Sequence, residues 1–199
     1  IPRIRTSTFT LDDIMNTLDK AKEHLLTPSG LTEGDLERVL GTLLGQSIDS
    51  GDLYFQSVMQ ESFVLEDGII KQGASSIDKG VGVRAISDDK TGFAYADDLV
   101  LPALLQSSEA ARSIASLGRQ TSLQAWKKKA PKPLYRDENP IDSMSYLDKM
   151  QMLREVDRIA RSLDARVKEV TVSLSGQFET ILIVSTDGTL SADIRPLVR

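Results

Sequence analysis

The chain has 199 residues, 40% of them hydrophobic and 27% charged, with a net charge of −5, which suffices for one domain or two small ones and for a core that needs no disulfide or metal. It has no cysteine, which excludes a disulfide scaffold, a thiolate zinc site and a cysteine nucleophile, and its single histidine, His24, excludes a two-histidine metal cluster. No apolar run approaches the roughly 20 residues of a membrane span, no signal-peptide pattern opens the chain, and its mild acidity argues against a nucleic-acid binder, which needs clustered Lys and Arg.

Residues 1–9 lack periodicity and read as a loose arm. Thr10 followed by Asp13 reads as a capping box, with Leu11, Ile14, Met15, Leu18 and Leu25 behind it on one helical face. Thr27, Pro28, Ser29 and Gly30 stop that helix. Thr32 with Asp35 starts a second helix, striped by Leu36, Val39, Leu40, Leu43 and Leu44.

The period changes after Gly51. Residues 53–60 and 62–65 read as strands, and Glu66, Asp67 and Gly68 as the tight turn of a hairpin that returns over residues 69–72. Residues 80–86 alternate small with apolar, Asp88, Asp89 and Lys90 turn, and residues 91–96 come back, which makes an antiparallel meander. Connections this short exclude a parallel, doubly wound sheet. Asp98 reads as the cap of a third helix, with Leu101, Leu104, Leu105, Ser108, Ala111 and Ala115 at helical spacing and Pro102 in its first turn. Residues 118–139 form a long loop with a basic run. Ser145 with Asp148 opens a fourth helix, whose seam runs through Leu147, Met150, Leu153, Val156, Ala160, Leu163 and Val167. Strands over 169–174 and 178–184 follow, joined at Ser175 and Gly176, and Asp187 with Gly188 turns into a last strand through Ile194.

This order predicts an α+β fold, a mainly antiparallel β-sheet with helices packed on one face. Residues 1–30 make an arm and first helix, and residues 31–199 the α+β domain. The chain stops in what reads as an apolar strand, a pairing hazard if left bare, so the natural polypeptide is expected to continue.

Candidate sites are few. His24, near the end of the first helix, suits the helix dipole as a surface residue and has no second histidine with which to bind metal. Glu61, Glu66, Asp67, Asp97 and Asp98 could supply a carboxylate pair for acid–base work, although Asp67 and Asp98 already have local duties in a turn and a cap. Gly80, Gly82 and Gly92 lie inside strands and not between a strand and a helix, so they do not make a nucleotide loop. They mark a bulge or the close approach of another backbone, which a neighbouring chain or an extended peptide would provide. Trp126 beside Lys127, Lys128, Lys129 and Lys132 is the one basic patch, readable as a base-stacking or acid-docking loop or as a solvated one. No G-x-S-x-G elbow is present, which disfavours a serine hydrolase.

Several stretches together resemble the N-terminal half of the TldD branch of the TldD/PmbA (modulator of DNA gyrase) peptidase family. They are Gly51-Asp52-Leu53-Tyr54-Phe55-Gln56, Glu61-Ser62, Leu65-Glu66-Asp67 with Ile69-Ile70-Lys71, Gly80-Val81-Gly82-Val83-Arg84-Ala85-Ile86, Thr91-Gly92-Phe93-Ala94-Tyr95-Ala96-Asp97, Ser143-Met144-Ser145, Thr186-Asp187-Gly188-Thr189-Leu190 and Arg195-Pro196-Leu197-Val198-Arg199. The match spans roughly residues 31 to 199 in one order. The resemblance implies a cytoplasmic zinc metallopeptidase that works with a PmbA-type partner on small or unfolded peptides. It places the zinc on a His-Glu-x-x-x-His helix and a further ligand in the family's C-terminal half. No such motif occurs here, and His24 belongs to none, so no catalytic, cofactor-binding or metal-ligating residue is assigned within 1–199. The implied role is a scaffold that shields the metal chamber, contacts the partner and guides peptide, without membrane attachment and with a homo-oligomer left open. A non-catalytic interaction module, a PmbA-like subunit or adaptor, is the alternative. Nucleic-acid binding, resting on the loop around Trp126, is a third reading that the net charge opposes.

Overall fold

The computed structural model describes residues 11–44, 48–115, 127–128 and 134–199, with the backbone alone for 11–16 and 127–128. The chain arm over 1–9 and the Thr10–Asp13 box lie outside the described residues. The elements are α1 (Leu11–Leu25), a 3₁₀ turn (Thr27–Ser29), α2 (Glu33–Leu44), β1 (Ser50–Glu66), β2 (Ile69–Ser87), β3 (Lys90–Ala96), α3 (Leu101–Ala115), β4 (Lys127–Lys128), α4 (Tyr146–Leu163), β5 (Thr171–Ser185) and β6 (Thr189–Val198). The strands form one sheet in the order β3-β2-β1-β5-β6-β4, antiparallel apart from the short parallel pairing of β4 with β6 at Thr189 and Leu190. The fold is therefore α+β with a mainly antiparallel sheet.

Local chemistry sets the element ends. The Thr32 main-chain N–H donates to Asp35 Oδ2 (2.9 Å) while the Asp35 N–H donates to Thr32 Oγ1 (3.2 Å), a reciprocal cap in which aspartate stands for the usual glutamate. Gly30 ends the 3₁₀ turn at φ 66°. Asp67 (φ 48°) and Gly68 (φ 76°) both take the positive φ that a two-residue hairpin turn demands.

The chain divides into two compact units. The first comprises Ile1–Ser57, Lys79–Leu134 and Thr180–Ile194, and the second Val58–Asp78, Tyr135–Glu179 and Arg195–Arg199. In the first unit Leu18, Ala21 and Leu25 of α1, the full α2 stripe and Leu104, Ala111 and Ala115 of α3 share one apolar cluster with Leu53, Phe55, Val81, Val83, Ala85, Leu182, Val184, Leu190 and Ala192. Those strand residues alternate along their strands, so the helices cover a single sheet face. In the second unit the cluster is small. Met150 and Leu153 of α4 meet Phe63 and Leu65, with Ile70, Val172 and Leu174 packed against them.

Three expectations need correction. The first concerns strand lengths: 53–60 and 62–65 are one continuous strand, β2 runs unbroken from Ile69 to Ser87, and 169–174 and 178–184 are not two strands joined at Ser175 and Gly176 but belong to β5, which runs unbroken from Thr171 to Ser185. Residues 73–79 resemble a gap because, Ile77 apart, they are small or polar and all are exposed, so neither face shows a hydrophobic period; strand pairing alone makes them β.

The second concerns helix α3. The Leu104 N–H donates to the Val100 carbonyl (3.1 Å), so the helix begins after Val100 and Asp98 lies too early to cap it.

The third concerns the seam of α4. Met150 and Leu153 are buried, but Leu147 and Leu163 are 76% and 79% exposed, Val156 is exposed as well, and Val167 lies past the helix end. The buried face instead runs through Lys149, Met150, Leu153 and Asp157. Two of those four are charged, and the apolar count drew the reading one face round the helix. The cap stands as read: the Asp148 N–H donates to Ser145 Oγ (3.2 Å) and the Ser145 hydroxyl to Asp148 Oδ2 (2.7 Å).

Candidate functional site

The second unit carries the most organised polar chemistry. Ser145 fixes the first turn of α4, which aims Lys149 at β1. The Lys149 ammonium donates to Glu61 Oε1 and to the Ile141 carbonyl, both at 2.5 Å, and its side chain is only 6% exposed. A lysine buried this deeply requires such partners, because an unpaired ammonium there costs several kcal/mol (about 3 or more).

Beside Glu61 opens a shallow cavity of about 300 Å³, lined among others by Gln60, Glu61, Ser62, Ser75, Ser175 and Gln177. Its wall offers hydroxyl and carboxamide donors and acceptors. Its carboxylate is already paired to an ammonium. That chemistry can hold a polar chain, and it lacks a nucleophile held by a base.

Six residues beyond Glu61, just past the end of the same strand, Asp67 sits in the hairpin turn. Its Oδ1 accepts from Arg161 Nη2 (2.5 Å) and from the Val170 N–H (3.1 Å), and its own N–H donates to the Val170 carbonyl (3.0 Å). The Val170 N–H first, and then the Arg161 guanidinium, hold the Asp67 carboxyl below the usual carboxylate range. Arg161 also donates to Asp157 (3.1 Å) and to the Lys168 carbonyl (3.1 Å), which ties the helix end to the turn.

The structure does not gather the five candidate carboxylates. Glu61, Glu66 and Asp67 belong to the second unit, and Asp97 and Asp98 to the first. Glu66, Asp97 and Asp98 are exposed. Glu61 and Asp67 serve ion pairs. The acid–base pair considered from the sequence is therefore not assembled. His24 is exposed on the last turn of α1, with Nδ1 3.4 Å from Thr180 Oγ1.

The strand glycines have internal explanations. A Cβ at Gly92 would stand 1.9 Å from the Ala111 carbonyl oxygen, so α3 rests directly on the β3 backbone there. Gly80 lies under the Tyr95 ring and Gly82 under the Phe93 ring. In the β2–β3 register Tyr95 faces Gly82 and Phe93 faces Arg84, so each ring leans diagonally over the glycine two residues away. What approaches these glycines is this chain itself, which corrects the expectation of a neighbouring chain or peptide at that point. Of the basic patch, Lys127 and Lys128 form β4, whereas Trp126, Lys129 and Lys132 fall outside the described residues.

Sequence reading missed Lys149 and Asp157. Their signal was present: Lys149, Met150, Leu153 and Asp157 fall on one helical face, but charged residues are discounted when a buried face is sought.

A catalytic zinc needs three protein ligands and an open position. Among the described residues no three His, Asp or Glu side chains converge in that way, and the whole chain has one histidine and no cysteine. The residues present do not fit a zinc ion. Among the described residues no helix is long and apolar enough to cross a membrane.

Residues 51–115 match the PmbA/TldA metallopeptidase domain 1 and residues 139–199 the PmbA/TldA metallopeptidase central domain. The metalloprotease TldD homolog of Haemophilus influenzae is 48% identical over 184 residues, and that of Buchnera aphidicola subsp. Acyrthosiphon pisum 42% over 183. Each alignment takes in 92% of this chain and 38% of the relative, so the chain spans about two fifths of the length of the curated relatives it matches. TldE from Thermococcus kodakarensis, at 16% identity, shares the fold with a TM-score of 0.62 over 82% of this chain and 37% of its own. Two family domains in sequence order, and relatives above two-fifths identity across nearly the whole chain, place it: the chain belongs to the PmbA/TldD metallopeptidase family.

Proposed function

We propose that this chain is the N-terminal, non-catalytic part of a TldD-like zinc metallopeptidase. In this reading the zinc ligands are encoded downstream, the whole enzyme hydrolyses small or unfolded peptides in the cytoplasm, and a PmbA-type subunit is its partner. The observation that carries the reading is the 48% identity to a metalloprotease over 92% of this chain and only 38% of that relative. The role left to residues 1–199 is mechanical and steric: a rigid sheet that orients the centre, contacts the partner and guides peptide.

The test is to assay unfolded-peptide hydrolysis and to measure bound metal, for this chain and for the longer gene product side by side. Hydrolysis and stoichiometric zinc in the longer product alone support the proposal. Zinc held tightly by this chain, or turnover by it, overturns it. A longer product that binds the partner but neither metal nor peptide would instead establish the alternative, a non-catalytic interaction module.

A further inference from the structure

We propose that the sheet face at Phe93 and Tyr95 is an intramolecular docking surface, which seats an apolar segment of the longer gene product encoded beyond Arg199. The inference rests on the reading above for the existence of that downstream part.

Ala94 and Ala96 of β3 pack against the apolar cluster of the first unit, so Phe93 and Tyr95 stand on the face of the sheet turned away from the helices. Both rings remain 59% exposed. Their placement is nevertheless built into the neighbouring strand. Gly80 and Gly82 of β2 are buried beneath them. A Cβ at Gly80 would collide with the Tyr95 hydroxyl and with the ring carbon that bears it (2.5 Å), and one at Gly82 would stand 3.1 Å from the Phe93 ring. Glycine inside a strand weakens it, through backbone entropy and a missing side chain. Within this chain the arrangement returns little, because the rings it seats stay mostly in water. The return comes when another surface completes their burial. Arg84 extends the shelf, since the register sets it opposite Phe93, and Asp52 Oδ2 accepts from its Nε (2.9 Å) and Nη2 (2.6 Å). Phe, Tyr and Arg side chains held in this way are the usual anchors of a protein interface. Because Arg84 is already paired, the shelf calls for apolar side chains instead of charge.

Area and chain length select the occupant. A whole aromatic side chain buries about 150–250 Å², so two rings at 59% exposure offer about 180–300 Å². A stable complex of separate chains needs roughly 800 Å² a side, which argues against a second copy or a free subunit on this shelf. A tethered segment needs far less, because its effective concentration is already high. This chain accounts for 38% of the length of the TldD relatives, which leaves about three fifths of such a protein to supply the segment.

The experiment compares this chain with the longer gene product at equal, low concentration. Hydroxyl-radical footprinting reads the two rings, and amide hydrogen exchange finds the segment that covers them. Labelling of Phe93 and Tyr95 should be slower by about fivefold or more in the longer product, as rings now 59% exposed become enclosed. Phe93→Ala in that product should speed exchange of the covering segment about tenfold or more, the loss of one central aromatic anchor. In this chain alone the same substitution should move the melting temperature by no more than about 2 °C, because the ring is mostly in water. Equal labelling in the two chains, or exchange indifferent to Phe93→Ala, overturns the proposal. So does protection that appears only as concentration rises or only when a PmbA-type subunit is added. A larger melting shift in this chain overturns it as well, since the ring then serves this unit's own stability. Zinc content and peptide hydrolysis of the longer product are separate measurements, so the docking surface and the reading above can each fail alone.

Discussion

The two units hold together by different physics. The first buries an apolar cluster drawn from three helices and four strands, with Leu36, Val39, Leu40 and Leu43 fully enclosed. At about 2 kcal/mol for each large side chain removed from water, hydrophobic burial dominates it. The second has a small apolar cluster of Phe63, Leu65, Met150 and Leu153, and buries Phe178, Lys149 and Asp157 besides. There strand pairing supplies the frame, and two ion-pair systems, Lys149 with Glu61 and Arg161 with Asp67 and Asp157, fasten the helix to it. One protein thus shows a helix seated by oil and another seated by charge.

Five substitutions break or sharpen this contrast. The largest effect is expected in the first unit. Gly92→Val sets side-chain atoms against the Ala111 carbonyl, where only backbone can give way, and should cost about 3 kcal/mol or more in urea unfolding followed by circular dichroism. If α3 tolerates it, the close packing described for this unit is wrong.

In the second unit Lys149→Met strands Glu61 and should cost about 2 kcal/mol. That is below the ~3–5 of a wholly enclosed pair, because Glu61 retains 19% exposure. The companion Lys149→Met/Glu61→Leu should recover most of the loss. Recovery distinguishes a charge clamp from simple packing, since a packing role would leave the double variant no better than the single. Ser145→Ala removes the cap of α4 and should cost about 1 kcal/mol in the same assay.

The smallest effect is a matter of pH. The Asp67 carboxyl is held below its ordinary range, so its contribution is present above the unfolded value and disappears as pH falls through the depressed one. Melting temperatures of the native chain and Asp67→Asn should differ at pH 7, and the difference should begin to shrink only as pH falls below about 4 and vanish once the depressed value is passed. A gap that does not narrow on acidification below that point would deny the carboxylate its role.

What could be read from the residues follows the same division. In the first unit apolar periodicity and burial coincide, and the α2 stripe, its Thr32–Asp35 cap and the antiparallel return of residues 91–96 on 80–86 were all legible. In the second unit they part company. Residues 73–79 form strand without any hydrophobic period, and α4 turns Lys149 and Asp157 inward while Leu147 and Leu163 face solvent. A pattern of apolar residues finds a face only when burial is apolar. The candidate carboxylates show the same limit: Glu61 and Asp67 could be singled out, but Lys149, 88 residues from Glu61, and Arg161, 94 from Asp67, could not be paired with them from one sequence. The family likeness was legible because an ordered series of short blocks survives where single blocks do not.

The interleaved make-up of the units bears on how the chain emerges from a ribosome. Each unit draws on three stretches separated in sequence, and neither is whole until β6 has been made. The hairpin tip at Asp67 must wait for Arg161 and Val170 before its latch can close. Long-range closures of this kind slow folding and leave early segments exposed while synthesis proceeds. The nascent hairpin of β1 and β2 would then be a natural client for a chaperone, for as long as more than ninety further residues take to be translated.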